Sequence, residues 1–205
     1  MKQAAVGFSV HSGWSAIVAV YLEKGSPAVF QRERVHLVEE FTYKFRQPYH
    51  TAEKMPLSEA REFIAKVRAT AGNLALRTIR ALQERLDQRG YQLSRGALLL
   101  ASGKPLPELE KILASHALIH TADGELFRNA LADARARCGL GAFRVKEREL
   151  LGQAAQKLGE SEAVLLRRVT ELGRSFGSPW SRDEKFAALA AWLALEDNKQ
   201  SGVSA

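Results

Sequence analysis

The stretch that decides the fold is Val6-Gly7-Phe8-Ser9-Val10-His11-Ser12-Gly13-Trp14-Ser15-Ala16. Apolar residues alternate with small or polar ones on both sides of Ser12-Gly13, which is typical of two strands joined by a tight turn. A turn signal at residues 23–27 precedes a third alternating stretch over residues 28–38. The first 38 residues therefore predict an antiparallel β-meander, and its third strand, the most polar of the three, is expected near a sheet edge.

A long helix is predicted over residues 58–90, because Ser58 offers a capping oxygen and Gly90 a left-handed stop. Its apolar stripe is expected to face the sheet, while its outer face mixes acidic and basic groups and is interpreted as solvated surface. Residues 42–56 hold two prolines and show no period, which predicts a surface loop. The continuous apolar run at residues 96–101 favours a central strand buried on both faces.

The rest of the chain predicts one further strand among helices. A loop at Ser102-Gly103-Lys104-Pro105, a helix ending near Cys138 and a short strand at 142–145 are expected, followed by helices at 147–158, 160–172 and 181–195. The order predicts an α/β fold whose mixed sheet begins as an antiparallel meander and continues with parallel strands, with helices on both faces. We expect one domain over residues 1–205, with the sheet in 1–145 and a helical C-terminal part in 146–205.

Charge is distributed unevenly along these 205 residues. The net charge is +7, and residues 1–100 hold 15 Lys and Arg against 9 Asp and Glu, whereas the remaining residues hold 15 against 14. Clustered cations bind phosphates because binding releases counterions from the polyanion. The basic first half therefore predicts contact with nucleic acid or with a nucleoprotein partner.

Cysteine content and hydropathy exclude several protein classes. Cys138 is the single cysteine, which excludes an internal disulfide and a cysteine-based zinc cluster. No apolar run approaches the roughly 18–20 residues that cross a bilayer, and the first 30 residues carry no signal-peptide pattern. We expect a cytoplasmic, bacterial-type protein that does not enter a membrane.

Residues 6–16, followed by a second antiparallel strand, resemble the opening of the ribonuclease H-like superfamily, which includes Holliday-junction resolvases and actin-like ATPases. Residues 181–190, Ser-Arg-Asp-Glu-Lys-Phe-Ala-Ala-Leu-Ala, are similar to the final helix of the resolvases. The resemblance implies a ribonuclease H-like fold. For the nucleases of that superfamily it also implies acids on the first strand, a central strand and the last helix, which hold two divalent metal ions.

The chain departs from that pattern at each of the three places. Ser9 stands where the first acid is expected, the strand at 96–101 carries no acid, and Phe186 takes one acidic position of the last helix. Of the metal-binding acids that the resemblance implies, only Asp183 and Glu184 remain in this sequence. The leading hypothesis is therefore a divergent, non-catalytic ribonuclease H-like protein that contacts nucleic acid or a nucleoprotein partner.

The sequence lacks the motifs of two classes of nucleotide-hydrolysing protein. The later half of the chain has no second Asp-x-Gly hairpin of the kind found in actin-like ATPases. The Gly103-Lys104 pair lacks the glycine spacing of a Walker loop.

A second hypothesis is a metal-assisted hydrolase or nuclease with an altered site that takes a divalent metal. His116, His120 and Asp123 are spaced i, i+4, i+7 and would share a helical face if the helix begins at Ser115. Two imidazoles and a carboxylate can hold Zn²⁺, with Asp183 as a further candidate ligand. The alternative is a helix that begins at Thr121, where His120 would only cap it.

The serines and histidines supply candidate catalytic residues. A Ser-His-Asp set can be composed from Ser9 or Ser12, His11 or His120, and Asp123 or Asp183, but neither serine lies in a Gly-x-Ser-x-Gly elbow. Turn chemistry is the simpler interpretation of His11. A third hypothesis is an interaction subunit that binds a protein partner without chemistry.

Overall fold

The computed structural model describes residues 1–101 and 105–201, with side chains up to residue 197. The predicted loop at Ser102-Gly103-Lys104 lies outside the described residues. One five-stranded sheet has the order β3-β2-β1-β4-β5. Its strands are β1 (Lys2–His11), β2 (Trp14–Glu23), β3 (Ser26–His36), β4 (Tyr91–Leu100) and β5 (Gly141–Lys146).

Eight α-helices occur in the described residues. They are α1 (Tyr43–Arg46), α2 (Pro48–Ala52), α3 (Leu57–Asp87), α4 (Leu109–Leu113), α5 (His116–Arg137), α6 (Leu150–Leu158), α7 (Glu162–Leu172) and α8 (Arg182–Ser201). Short 3-10 turns lie at Glu147–Glu149 and Arg174–Phe176.

The sheet confirms the predicted mixed topology. β1 and β2 form an antiparallel hairpin in which His11 lies opposite Trp14, and β3 adds antiparallel to β2 at the edge. β4 and β5 then extend the sheet in parallel on the other side of β1. β4 begins at Tyr91 rather than Gly96, because its more polar first half also pairs along β1. Parallel pairing of β1 and β4 brings their carboxyl ends to the same edge of the sheet.

Helices cover both faces of the sheet. α3 and α5 pack on the face that carries Phe8 and Val10. α8 lies on the opposite face and is itself covered by α6 and α7, so that residues 186–195 are buried on all sides. Although α8 is apolar, no helix of the described residues is long and apolar enough to cross a membrane.

The approach of α8 to β1 depends on one glycine. A Cβ atom placed on Gly7 would lie 1.8 Å from the backbone oxygen of Ala187. A carbon atom does not fit at that distance, so any larger residue would push α8 away from the sheet. Gly7 therefore sets where the first turn of α8 lies relative to the end of β1.

The segment 42–56 was predicted as a loop, and that prediction is wrong. It forms α1 and α2, and Pro48 starts α2 at a position where a helix needs no backbone N–H donor. The segment is held because Tyr49 is buried and its backbone N–H donates to a side-chain oxygen of Asp123, at 2.7 Å. Sequence periodicity cannot find helices of four or five residues that tertiary contacts stabilise.

Three helix ends also differ from expectation. α3 begins at Leu57, one residue before the predicted Ser58 cap, because the Pro56 carbonyl accepts the N–H of Ala60 at 2.9 Å. The helix expected from residue 147 begins as a 3-10 turn and becomes α6 at Leu150. The last helix continues to Ser201 instead of ending at Leu195.

Candidate functional site

Three predicted residues meet at the carboxyl end of β1. The hydroxyl of Ser9 donates to Oδ1 of Asp183 at 3.2 Å, and Nε2 of His11 lies 2.9 Å from the same oxygen. We refer to Ser9, His11 and Asp183 as the Asp183 site. Ser9 is buried, whereas the side chains of His11 and Asp183 are 41% and 30% exposed. The Asp183 site therefore opens to solvent on one side only.

Local structure explains why these side chains converge. Ser9 and His11 are two residues apart on β1, so both point to the face that α8 covers. Asp183 stands in the first turn of α8, where the positive end of the helix favours a carboxylate. Glu184 is turned away, because its carboxylate accepts hydrogen bonds from the backbone N–H and the hydroxyl of Ser181. Asp183 is therefore the carboxylate that α8 presents to β1.

A row of aromatic rings continues from the Asp183 site across the hairpin. The Trp14 ring stacks on His11 with centroids 4.3 Å apart, and the guanidinium of Arg34 lies 3.7 Å from the Trp14 ring centroid. On β3, His36 is paired in register with Trp14 and stacks on Phe41 at 4.1 Å. We call His11, Trp14, His36 and Phe41, with their two arginines Arg34 and Arg46, the aromatic row.

Arg46 closes this row on α1. Its guanidinium lies 4.4 Å from the Phe41 ring centroid, and its Nε donates to the carbonyl of Ser12 at 3.3 Å. Arg34, His36 and Phe41 are exposed. A cavity of about 570 Å³ lies between Trp14, Arg34 and Asp183, so the row borders an open recess rather than a flat surface.

A second cluster lies on the opposite face of the sheet, where α2 meets the beginning of α5. The cluster consists of three histidines, His50, His116 and His120. Each offers one ring nitrogen, and these three nitrogen atoms all lie within 4.8 Å of one another. We call these three residues the histidine cluster. Nε2 of His120 is 3.0 Å from Nε2 of His116, and the ring centroids of His50 and His120 are 4.4 Å apart. The three rings are steeply inclined to one another and thus converge on a common point instead of stacking.

Asp123 stands behind this cluster. Its Oδ2 lies 2.5 Å from Nδ1 of His50, and its Oδ1 accepts the backbone N–H of Tyr49. The Asp123 side chain is only 3% exposed. Burial raises the pKa of the Asp123 carboxyl above its usual value, and the hydrogen bonds from His50 and Tyr49 oppose that rise. Asp123 therefore orients His50 and does not share the exposed face of His116 and His120.

The four metal-ligand candidates predicted from the sequence, His116, His120, Asp123 and Asp183, do not lie at one site in the structure. α5 begins at His116 with Ser115 at its N-cap, so the alternative of a helix starting at Thr121 is wrong. His116 and His120 lie together as the spacing indicates. Asp183, the fourth candidate, belongs to the other face of β1.

Two solved structures resemble this chain over nearly its whole length. RuvC of Thermus thermophilus in complex with a Holliday junction substrate is 12% identical, with a TM-score of 0.54 over 97% of this chain and 96% of that chain. A second Thermus thermophilus RuvC structure is 11% identical over the same shares, with a TM-score of 0.51. The chain has a ribonuclease H-like fold. No family model and no curated protein matches the sequence.

The ribonuclease H-like resemblance implied two divalent metal ions, and the Asp183 site does not fit them. Hard cations such as Mg²⁺ prefer several carboxylate oxygens, and Asp183 is the one carboxylate at this site among the described residues. The end of β4 supplies only apolar side chains up to Ala101, and Phe186 is buried in the core. Ser9 offers a neutral hydroxyl in place of a charged ligand.

A serine nucleophile does not fit this ribonuclease H-like site either. A Ser-His-Asp relay needs the serine to donate its proton to the histidine. Ser9 instead donates its only hydroxyl proton to Asp183, and His11 contacts the same carboxylate oxygen. The three residues form a hydrogen-bonded cap over the start of α8.

The sequence did not point to His50, Arg34, His36, Phe41 or Arg46 as site residues. His50 lay in a stretch without periodicity, and its partners in the cluster lie far away along the chain. The aromatic row draws on three strands and α1, so it exists only after the meander has paired. One signal was available: Phe41, Tyr43 and Phe45 occur close together beside Lys44 and Arg46, an interleaving of aromatic and basic residues that suits nucleic-acid binding.

Proposed function

We propose that this ribonuclease H-like chain binds nucleic acid along the aromatic row and does not cleave it by two-metal chemistry. The single observation that carries the proposal is the row itself, in which each of two arginines lies against an aromatic ring and one of these pairs, Arg34 with Trp14, borders an open recess. The RuvC structure with a Holliday junction substrate supports nucleic acid as the class of ligand.

The chemistry of the aromatic row suits nucleic acid. Aromatic rings provide platforms on which bases stack, and each stacked base contributes about 1–3 kcal/mol. Arginine guanidinium groups bind phosphates in a bidentate manner. Neither Arg34 nor Arg46 forms a salt bridge within residues 1–101 and 105–197, so their charges are not already neutralised by a carboxylate. The row combines aromatic rings, which already stack on one another and on guanidinium groups, with two arginines that have no carboxylate partner in the described residues.

The Asp183 site supports binding without cleavage. Phosphodiester hydrolysis by a pair of metal ions requires that both the attacking and the leaving oxygen be stabilised. Here the one carboxylate is held by Ser9 and His11.

Fluorescence anisotropy with labelled DNA tests the binding. A four-way junction, a duplex and a single strand are titrated with protein at several salt concentrations. Exchanging both arginines for alanine (Arg34→Ala with Arg46→Ala) is expected to lower affinity at least about tenfold and to reduce the salt slope by roughly 1–2, since two phosphate contacts are lost. Trp14 fluorescence should be quenched when DNA binds.

The matched control removes two cations from the solvent face of α3, by Lys66→Ala with Arg77→Ala. This variant keeps the same net charge as the test variant and should bind DNA about as the natural chain does. Equal losses in both variants would show that binding follows net charge alone and would contradict the proposed surface. Absence of salt-dependent binding to every DNA, together with a stable co-purifying protein, would favour the interaction-subunit hypothesis.

Cleavage is tested separately with the same labelled DNA. The natural chain is incubated with the four-way junction in Mg²⁺ and then in Mn²⁺, and the products are resolved on a denaturing gel. We expect the strands to remain intact. Metal-dependent nicking that disappears in Asp183→Asn would refute the non-cleaving half of the proposal and support the metal-assisted nuclease.

A further inference from the structure

We propose that His50, His116 and His120 form a transition-metal site, best suited to Zn²⁺, with Asp123 as the group that orients one ligand. This site lies on the opposite face of β1 from the aromatic row and is independent of the proposed nucleic-acid binding. It also differs from the metal sets suggested by the sequence, since His50 is a new ligand and Asp123 does not bind the ion directly.

The distances between ring nitrogens fit one small ion. Zinc binds imidazole nitrogen at about 2.0–2.1 Å, so a tetrahedral ion holds neighbouring ligand atoms roughly 3.3 Å apart. Nε2 of His116 and Nε2 of His120 are 3.0 Å apart, and all three ligand atoms lie within 4.8 Å of one another. A bound ion would complete the three-nitrogen set by drawing the separations that reach up to 4.8 Å toward the roughly 3.3 Å of a tetrahedral site.

The helices supply the ligands in a stable geometry. His116 and His120 are one turn apart on α5, so their rings project from the same side of the helix. His50 comes from α2, which packs against α5. An ion at this point would fasten the short α2 to the long α5.

Asp123 supplies the outer contact that metal-binding histidines characteristically make. A ligating histidine usually donates its second ring N–H to a carboxylate, which fixes the ring and its tautomer. Asp123 lies 2.5 Å from Nδ1 of His50, so this nitrogen carries the proton and Nε2 is left as the ligand atom. A buried carboxylate without a partner is costly, and the contact with His50 accounts for the position of Asp123.

The ligand set selects the class of metal. Three neutral imidazoles suit Zn²⁺, Co²⁺, Ni²⁺ or Cu²⁺, whereas Mg²⁺ and Ca²⁺ require oxygen ligands. His116 and His120 are exposed, so a fourth position would open to solvent. Three protein ligands and one open position is the arrangement in which zinc keeps a bound water.

The experiment uses the full chain after treatment with a chelator, titrated calorimetrically with ZnCl₂ and, in parallel, with CoCl₂ while visible absorption is recorded. We expect one Zn²⁺ per chain, a rise in Tm with Zn²⁺, and a Co²⁺ spectrum of the intense, four-coordinate type. His120→Ala and His116→Ala change exposed side chains and should leave the fold intact while lowering Zn²⁺ affinity at least about 100-fold. Asp123→Asn should lower it by about 10- to 100-fold.

His36→Ala is the control, since His36 is an exposed histidine outside the cluster, and it should leave Zn²⁺ affinity unchanged. The proposal is overturned if the natural chain shows no stoichiometric Zn²⁺ binding. It is equally overturned if His116→Ala and His120→Ala bind Zn²⁺ as tightly as the natural chain does. Because DNA affinity is not measured in this experiment, failure here leaves the nucleic-acid proposal standing, and the reverse also holds.

Discussion

On the face of the sheet covered by α8, Asp183 reaches Ser9 and His11 from more than 170 positions along the chain. On the other face, His116 and His120 are separated by a single helical turn, and only His50 comes from a distant segment. The Asp183 site depends on how closely α8 packs on β1. The histidine cluster depends mainly on the spacing of residues within α5 and on one carboxylate behind it.

The two regions also differ in the metal chemistry that their side chains allow. The Asp183 site occupies the first-strand and last-helix positions at which the resemblance implies acids, but it has one carboxylate where hard metal ions need several. The histidine cluster has ligands for softer metals at the same end of the sheet. The Asp183 site and the histidine cluster thus lie on opposite faces of the sheet.

The largest effect is expected from Gly7→Ala, which tests whether the Asp183 site depends on close packing. The added Cβ would collide with the backbone of Ala187 at 1.8 Å, and backbone atoms of a buried helix cannot move aside cheaply. We expect the free energy of unfolding in urea to fall by at least about 3 kcal/mol, at the upper end for overpacked cores.

Gly72→Ala is the matched control for this exchange. Gly72 lies inside α3 with nothing within 4 Å of an added Cβ, so alanine should raise stability by about 0.5–1 kcal/mol. If Gly7→Ala were as harmless as Gly72→Ala, α8 would not be packed on β1 as described.

A smaller effect is expected from Asp123→Ala, measured in the absence of added metal. The exchange leaves the buried N–H of Tyr49 and the ring N–H of His50 without their acceptor. An unsatisfied buried donor costs about 1–3 kcal/mol, so we expect a loss near 2 kcal/mol in urea unfolding.

Asp133→Ala, at an exposed position of the same helix, should change stability by less than about 0.5 kcal/mol. A loss in Asp123→Ala no greater than in this control would mean that the carboxylate does not hold α2 on α5.

The smallest effect is expected from Ser9→Asp, which restores an acid at the first-strand position. Two carboxylates would then lie side by side and repel each other, which lowers stability until a divalent cation binds both. We expect Mg²⁺ to raise the Tm of this variant by about 2–4 °C, equivalent to roughly 1 kcal/mol. The Tm of the natural chain should not respond.

Ser9→Asn is the uncharged comparison and should also show no Mg²⁺ response. A natural chain stabilised by Mg²⁺ as much as Ser9→Asp would contradict the conclusion that Ser9 removes the site for hard metal ions.

Much of the fold could be predicted because strand alternation and apolar runs are visible in the local sequence. Strand alternation on both sides of Ser12-Gly13 indicated the hairpin, the apolar run at 96–101 indicated a central strand, and the polar third strand was correctly expected at an edge. Residues 42–56 were misjudged, since α1 and α2 are too short to show a period and are held by Tyr49 and Asp123.

The candidate sites were predictable only in part. Ser9, His11 and Asp183 were named as separate candidates, but their meeting at one oxygen depends on the packing of α8 against Gly7. The spacing of His116 and His120 was visible in the sequence. His50 was not, because its partners are more than sixty positions away and nothing local marks it as a ligand.

The sequence by itself determined the meander, the burial pattern of the helices and the loss of acids at Ser9 and Phe186, because periodicity and residue identity are properties of the chain alone. Only the tertiary structure decided that the Trp14 ring contacts both Arg34 and His11. The same is true of the contact between His50 and Asp123 of α5. The physical reason is that stacking and metal binding act over a few ångströms between side chains, and such distances are set by packing rather than by position in the sequence.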